Sequence, residues 1–163
     1  MSYDLMVFKK LAAPKTREDF MKWYYIQTQF TENHSYDDPA NTSVGLGNWF
    51  LDMIAKFPAM NGPYSNNDDD DDNEFITGYS IGNDMIYIDF RWSVAEEAYN
   101  TTLELAKKHN IGFFDVSSDN GDILFPENGE LVSIDNFNGN NGEVNFKGGV
   151  RRQWWKFWQE NQR

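Results

Sequence analysis

Residues 84–118 read DMIYIDFRWSVAEEAYNTTLELAKKHNIGFFDVSS and contain three successive patterns of local structure. In residues 85–92, large apolar side chains alternate with the other side chains, and this period of two is typical of a strand that packs one face on a core. Residues 113–117 carry a second strand pattern, and between the two patterns apolar residues recur at helical spacing. A strand, a helix and a strand in succession predict a right-handed βαβ crossover.

The start of this central helix is marked by a serine. Ser93 and Glu96 have the S-x-x-E spacing of a capping box, in which the serine oxygen accepts a hydrogen bond from the helix backbone. The helix is therefore predicted to begin at Val94. Lys107 and Lys108 fall in its last turn, where positive charge is favourable because of the helix dipole.

Other strand patterns occupy residues 3–8, 75–81 and 123–125, and two helix patterns lie between the first two of these strands. Thr16, just after a proline, is predicted to open the first of these helices. The second helix has the clearest amphipathic pattern in the chain. Its apolar residues are Leu46, Trp49, Phe50, Met53, Ile54 and Phe57. The complete order of elements predicts an α+β fold of the ferredoxin-like, split βαβ type, in which helices cover one face of an antiparallel sheet.

The character of the sequence changes after Pro126. We predict a single α+β domain over residues 1–126 and an irregular extension over residues 127–163 that is rich in glycine and asparagine. Near its end, residues 154–158 contain four aromatic residues, with cations beside them. We expect this tryptophan-rich segment to pack on the domain. The alternative is that it anchors a partner, because tryptophan and arginine dominate interface hot spots.

The composition limits the chemistry and the location of the protein. The chain has 163 residues and no cysteine, which excludes disulfides and thiolate metal sites. No apolar run approaches the length of a membrane span. The first residues lack the pattern of a secretory signal. These features predict a cytoplasmic protein that binds no membrane.

The net charge of −12 is distributed unevenly along the chain. Residues 61–130 carry sixteen acidic residues against three basic ones. A segment this acidic should repel nucleic acid, because phosphate binding needs lysine and arginine. It would attract a basic protein surface and speed that encounter. The alternative interpretation is that the charge serves only solubility.

No motif in the sequence points to a catalytic reaction. The signatures of phosphate loops, dinucleotide sites, zinc proteases and nucleophile elbows are missing, and we predict no catalytic residue, metal ligand or cofactor. A small carboxylate-based or metal-assisted enzyme is an alternative, since several loops carry carboxylates. Asp37 and Asp38 lie close to His34 in the sequence, and Asp115 and Asp119 lie beside a predicted turn.

The acidic run in the loop at residues 66–74 is the strongest candidate for a partner-binding site. Like charges this dense resist regular structure, and the run lacks the spacing of an EF-hand calcium loop. Charges in such a loop are expected to act mainly on the rate of encounter with a partner. The partner-binding candidates are Asp68, Asp69, Asp70, Asp71, Asp72 and Glu74, with Trp154, Trp155 and Trp158 if these tryptophans are exposed.

Four phrases spread over the chain suggest a family. They are YDLMVF at residues 3–8, FPAMNGP at 57–63, GFFDVS at 112–117 and WWKFW at 154–158. With these phrases the chain resembles small bacterial proteins of the polymorphic-toxin immunity protein type. The resemblance implies a cytoplasmic antidote that binds and blocks one toxin domain.

Three functions therefore compete. The leading hypothesis is a non-enzymatic protein-binding module, an immunity protein that neutralises a cognate toxin with a basic surface. The second is the carboxylate-based or metal-assisted enzyme. The third is an acidic regulator whose negative charge imitates nucleic acid.

Overall fold

The computed structural model describes residues 1–65 and 72–137 as one sheet with helices packed against it. The strands are β1 (Tyr3–Phe8), β2 (Gly78–Ile81), β3 (Met85–Phe90), β4 (Gly112–Phe114), β5 (Ile123–Glu127) and β6 (Glu130–Ser133). The helices are α1 (Arg17–Gln27), α2 (Val44–Met53) and α3 (Ala95–Lys108). Short 3₁₀ turns occupy Pro39–Asn41, Trp92–Val94 and Ile134–Asn136. The predicted α+β class is confirmed.

The six strands form one sheet in the order β2-β3-β1-β4-β5-β6. Every pair of neighbouring strands is antiparallel, as predicted. Strand β1 lies between β3 and β4, so that Val7 is opposite both Ile86 and Phe113. The crossover from β3 through α3 to β4 therefore spans β1, and the strands on either side of β1 point the same way.

Helices cover both faces of the sheet, and the prediction that they cover one face is wrong. Leu5 and Val7 of β1 share a buried cluster with α2 and α3, whereas Met6 and Phe8 share a second cluster with Phe20 of α1. The reason lies in the sequence of β1. Its apolar residues do not alternate with polar ones, and a strand that is apolar on both sides needs cover on both sides.

The start of α3 also differs from the prediction. Residues Trp92–Val94 form a 3₁₀ turn, and the α-helix begins after it, at Ala95. No side chain makes a capping hydrogen bond at the start of this turn or of the helix, so the predicted cap at Ser93 is wrong. Thr16, in contrast, is the N-cap of α1, and its side chain accepts a hydrogen bond from the backbone N–H of Asp19.

Ser93→Ala should therefore change the free energy of unfolding by no more than about 0.5 kcal/mol, as expected for a surface substitution. Thr16→Ala is the matched control, because Thr16 is a cap in the structure, and it should cost about 1 kcal/mol. Urea melts of both variants measure the two effects. Equal losses at the two positions would show that Ser93 stabilises the start of α3 after all.

The sheet continues past the predicted domain end at Pro126, because β5 and β6 form a hairpin. Asn128 and Gly129 connect the two strands with φ angles of 51° and 80°, the backbone of a two-residue hairpin turn. Proline has no N–H to donate to a neighbouring strand. Pro126 is tolerated inside β5 because it lies beyond Leu124, the last residue of β5 that pairs with β4. The tryptophan-rich segment of the predicted extension lies outside the described residues.

Candidate functional site

Two of the predicted partner-binding residues, Asp72 and Glu74, lie within the described part of the chain, and both are exposed. The others lie outside it; they are Asp68, Asp69, Asp70, Asp71, Trp154, Trp155 and Trp158. The described residues do, however, define the two ends from which the acidic run extends. We call residues 58–65 and 72–77 together the acidic stem.

Backbone hydrogen bonds hold the two sides of the acidic stem together. Ala59 and Thr77 form an isolated parallel bridge. The N–H of Met60 donates to the carbonyl of Thr77, and the N–H of Thr77 donates to the carbonyl of Pro58, both at 2.9 Å. Since Thr77 is fully buried, this bridge fixes the base of the stem to the core.

Large apolar side chains remain accessible on the acidic stem. Met60 is 61% exposed and Tyr64 is 44% exposed, although the ring of Tyr64 lies 5.8 Å from that of the buried Phe50. No ion pair formed within the described residues includes Asp72 or Glu74. The acidic stem thus combines an aromatic side chain that packs on the core with carboxylates that form no ion pair within the described residues.

The loop that carries Asp37 and Asp38 packs directly against the acidic stem. Gly62 has a φ of 85°, and a Cβ atom at this position would lie 2.4 Å from the backbone oxygen of Asp37, so only glycine fits. Asp38 has a structural role, because its Oδ1 accepts a hydrogen bond from the N–H of Ala40 at the start of a 3₁₀ turn. The packing of Gly62 against Asp37 therefore brings the loop of Asp37 and Asp38 close to the acidic stem.

His34 pairs with Glu32 and not with Asp37 or Asp38, the two carboxylates that the sequence analysis placed close to it. Its Nε2 hydrogen-bonds to the carboxylate of Glu32, and its Nδ1 lies 2.6 Å from the carbonyl oxygen of Ser35. The same Glu32 oxygen accepts the N–H of Asn83 at 2.9 Å. The bond to Ser35 and then the bond to Glu32 raise the pKa of His34. Both ring nitrogens face acceptors, so the protonated ring satisfies both.

The raised pKa of His34 predicts that this loop is held more firmly at low pH. The stabilisation is fully present below the pKa of an unfolded-state histidine, about 6.5, and is lost as the pH rises through the folded-state pKa. The parent should therefore lose more stability between about pH 6 and 8 than His34→Gln, which removes this titration. Urea melts at the two pH values measure the difference. Equal losses in the two proteins would contradict the pairing.

The structure places Asp115 and Asp119 in different environments. Asp115 is only 6% exposed, and its Oδ2 accepts a hydrogen bond from the hydroxyl of Ser118 at 2.7 Å. Its backbone N–H donates to the carbonyl of Asp122 at 3.0 Å, whereas Asp119 is exposed. These contacts close the turn between β4 and β5 and give Asp115 a structural role there.

The structure does bring together one carboxylate pair that the sequence did not reveal. Asp4 of β1 lies directly opposite Asp89 of β3. The backbone N–H and C=O of Asp4 both bond to Ser117, on the other side of β1. Asp4 and Asp89 are therefore a non-hydrogen-bonded pair, the kind in which opposing side chains approach most closely.

The environment of the pair is unfavourable for two charges. Burial and then the charge of Asp4 raise the pKa of Asp89. Tyr87 donates its hydroxyl to Oδ2 of Asp4 at 2.8 Å, but Oδ1 of Asp4 is buried without a hydrogen-bond partner among the described residues. Like charges directly opposite each other on a sheet destabilise it. An aspartate inside each of two strands is the signal that sequence reasoning could have used, since strands are poor in aspartate.

No group of three or more histidine, aspartate or glutamate side chains in residues 1–65 and 72–137 is arranged to hold a metal ion. None of the helices in this part of the chain has the length and apolar character of a membrane span.

No protein-family model, curated protein or solved structure matches this chain.

Proposed function

We propose that this chain is a non-enzymatic protein-binding module of the immunity type, which binds and neutralises a cognate bacterial toxin in the cytoplasm. The observation that carries the proposal is the acidic stem. Its two sides are joined by the bridge between Ala59 and Thr77, and it presents Met60 and Tyr64 together with Asp72 and Glu74 at the surface. A protein partner with a basic surface offers the complementary chemistry.

The two kinds of side chain on the acidic stem have different tasks in this proposal. The acidic run accelerates encounter, because charges at the rim of an interface mainly change the rate of association. Tyr64 supplies affinity, because it rests on Phe50 and its ring would be buried by the partner. Aromatic side chains in such positions are enriched among hot spots.

Replacing Asp68–Asp72 with asparagine should therefore lower the rate of association with the toxin severalfold at low salt. The rate of dissociation should hardly change, and the difference should fade at an ionic strength near or above about 0.15 M, where charges are screened. Surface-binding kinetics against the toxin encoded beside this gene provide the measurement. A large rise in dissociation rate would instead make the run a docked part of the interface, and no change in either rate would leave it a solubility feature.

Tyr64→Ala is the matched test of affinity. It should raise the rate of dissociation at least tenfold, which corresponds to about 1.4 kcal/mol, and leave association nearly unchanged. Leu11→Ala is the control, because Leu11 is 87% exposed and lies at the other end of the sheet: it follows Phe8, which is opposite Met85 at the start of β3, whereas the acidic stem leads into Gly78, which is opposite Asp89 near the end of β3. If Tyr64→Ala dissociates like the Leu11 control, the acidic stem does not contact the toxin.

The enzyme alternative is favoured by one observation, the carboxylate pair Asp4 and Asp89. A carboxyl group whose pKa is raised by burial and by a neighbouring carboxylate is one feature of an acid–base pair in hydrolysis. The pair could also act through a divalent ion. Calorimetry with magnesium, calcium and zinc separates the proposals, with Asp89→Asn as the control. A stoichiometric sub-micromolar site that disappears in the control would favour the enzyme.

We further propose that β1 to β4 with α2 and α3 are a ferredoxin-like, split βαβ core, to which α1, β5 and β6 are added. The strand order β2-β3-β1-β4 and the position of α2 and α3 on one face support this assignment.

A further inference from the structure

Asp89 lies between two other strands of the sheet, directly opposite Asp4 of β1 on one side and Gly78 of β2 on the other. A Cβ atom on Gly78 would lie 2.0 Å from Oδ2 of Asp89 and 2.2 Å from Oδ1. The carboxyl group of Asp89 therefore fills the space that a side chain at position 78 would take. Since Asp4 and Asp89 are a non-hydrogen-bonded pair, the strand pairing also brings their side chains close together.

The titratable and charged groups around this pair offer it no counter-ion within the described residues. Tyr87 of β3 donates its hydroxyl to Oδ2 of Asp4 at 2.8 Å. Tyr24 of α1 lies near the same carboxylate, since burial raises its pKa and the charge of Asp4 adds to the increase. Arg91 is the next basic residue along the chain from Asp89, and it is exposed. Neither Asp4 nor Asp89 takes part in the ion pairs formed within residues 1–65 and 72–137.

One oxygen of the pair lacks a hydrogen-bond donor. Oδ2 of Asp4 accepts the hydroxyl of Tyr87, but Oδ1 of Asp4 is buried and accepts no hydrogen bond within the described residues. An ionised carboxylate can only accept hydrogen bonds, whereas a protonated carboxyl group also donates one. A proton on Asp89 would therefore supply a donor beside Asp4 and would remove one of two like charges.

We propose that Asp4 and Asp89 bind one proton between them as a carboxylic acid–carboxylate pair, and that the loss of this proton at higher pH weakens the pairing of β3 with β1 and β2. Without the proton, two like charges are directly opposite each other on the sheet. Gly78 directly follows Thr77, whose backbone forms the bridge to Ala59, so the weakened pairing lies next to the base of the acidic stem. This inference concerns the free chain and does not rest on the proposed function.

The stability of the fold should fall as the pH rises through the titration of the pair. Burial and then the charge of Asp4 raise the pKa of Asp89, so the folded state binds the proton more tightly than the unfolded state, in which an aspartate has a pKa of about 3.9. The stabilisation is therefore fully present below about pH 4 and is lost as the pH rises through the folded-state pKa. Asp89→Asn removes this titration and keeps the shape of the side chain. Its urea midpoint should exceed that of the parent at about pH 7 and approach it at about pH 4.

Carbon-13 NMR of the aspartate carboxyl groups measures the bound proton directly, and it needs no variant for its first result. In the parent, Asp89 should titrate above the ordinary aspartate pKa of about 3.9. In Asp4→Asn the pKa of Asp89 should fall, because the neighbouring charge is gone. Titration of Asp89 at the ordinary value in the parent, or at an unchanged pKa in Asp4→Asn, would overturn the proposal.

A double-mutant cycle measures the repulsion between the two groups. Asp4→Asn and Asp89→Asn should each raise the urea midpoint at about pH 7, and the double variant should gain less than the sum of the two, because either change ends the repulsion. Asp119→Asn is the matched control, since Asp119 is exposed on the turn between β4 and β5 and its replacement removes the same charge from the chain.

Two outcomes of the cycle would contradict a shared proton. Additive gains would mean that Asp4 and Asp89 do not interact. An equal gain in the Asp119 control would mean that only the net charge of −12 matters. Toxin binding enters none of these readouts, so their failure leaves the proposed function standing.

Discussion

Replacing Phe50 with alanine should lower the free energy of unfolding by roughly 3–5 kcal/mol, as expected when a fully buried phenylalanine leaves a cavity. Phe50 is only 1% exposed and lies on the inner side of α2. Its ring is 5.0 Å from that of Tyr79 in an edge-to-face arrangement. The loss therefore includes both buried area and an aromatic contact between α2 and β2.

Leu51→Ala provides the control for this experiment. Leu51 follows Phe50 on the same helix, but it is 44% exposed, so its replacement should cost far less. Urea melts of the two variants should give different midpoints with the same slope. If Phe50→Ala unfolds like Leu51→Ala, α2 is not docked on the sheet as described.

The predictive power of the sequence for α2 came from its spacing. The residues predicted to face the core that fall within the helix, Leu46, Trp49, Phe50 and Met53, are all buried. A helical period depends only on neighbours along the chain, so it can be read locally. The end of the helix was harder to predict, because the helix stops at Met53 although the apolar spacing continues through Ile54 to Phe57.

The cap of α3 shows where local spacing is insufficient. A serine followed by a glutamate three residues later fits a capping box, and Ser93 and Glu96 fit it. In the structure the residues around Ser93 turn as a 3₁₀ helix, with the N–H of Val94 bonded to the carbonyl of Arg91. The first α-helical residue is thereby moved past Val94, and Ser93 is left outside the capping position.

The carboxylate pair lay beyond sequence reasoning for a different reason. Asp4 and Asp89 are far apart along the chain, and only the register of β1 against β3 makes them neighbours. A shift of one residue in that register would have placed them on opposite faces. The charge of the acidic run, in contrast, is visible in the sequence. The sequence does not show that the two sides of the acidic stem are joined by a bridge between Ala59 and Thr77.

The apolar run in β1 predicts a strand, and its lack of alternation also requires cover on both faces. Leu5, Met6, Val7 and Phe8 are all fully buried, which requires a layer on each face of the sheet. The helix α1 supplies the second layer. Its role can be tested independently of α2, because the two helices contact opposite faces.

Phe20→Ala should destabilise the fold by roughly 3–5 kcal/mol, about as much as Phe50→Ala. Phe20 is fully buried beneath α1, and its ring lies 5.0 Å from that of Phe8 and 5.4 Å from that of Phe114. Removing it would open a cavity between the helix and the middle of the sheet. A helix that merely rested on the surface would not produce a loss of this size.

Lys22→Ala is the control on the same helix. Its ammonium group pairs with Glu18 at 2.9 Å on the exposed side, where water screens the pair, so its removal should lower the stability far less than Phe20→Ala does. Urea melts of both variants decide between two arrangements. A large loss at Phe20 alone means that α1 covers the second apolar face of β1. Equal small losses would mean that Met6 and Phe8 are buried by something other than α1, and the sheet would then have helices on one face only.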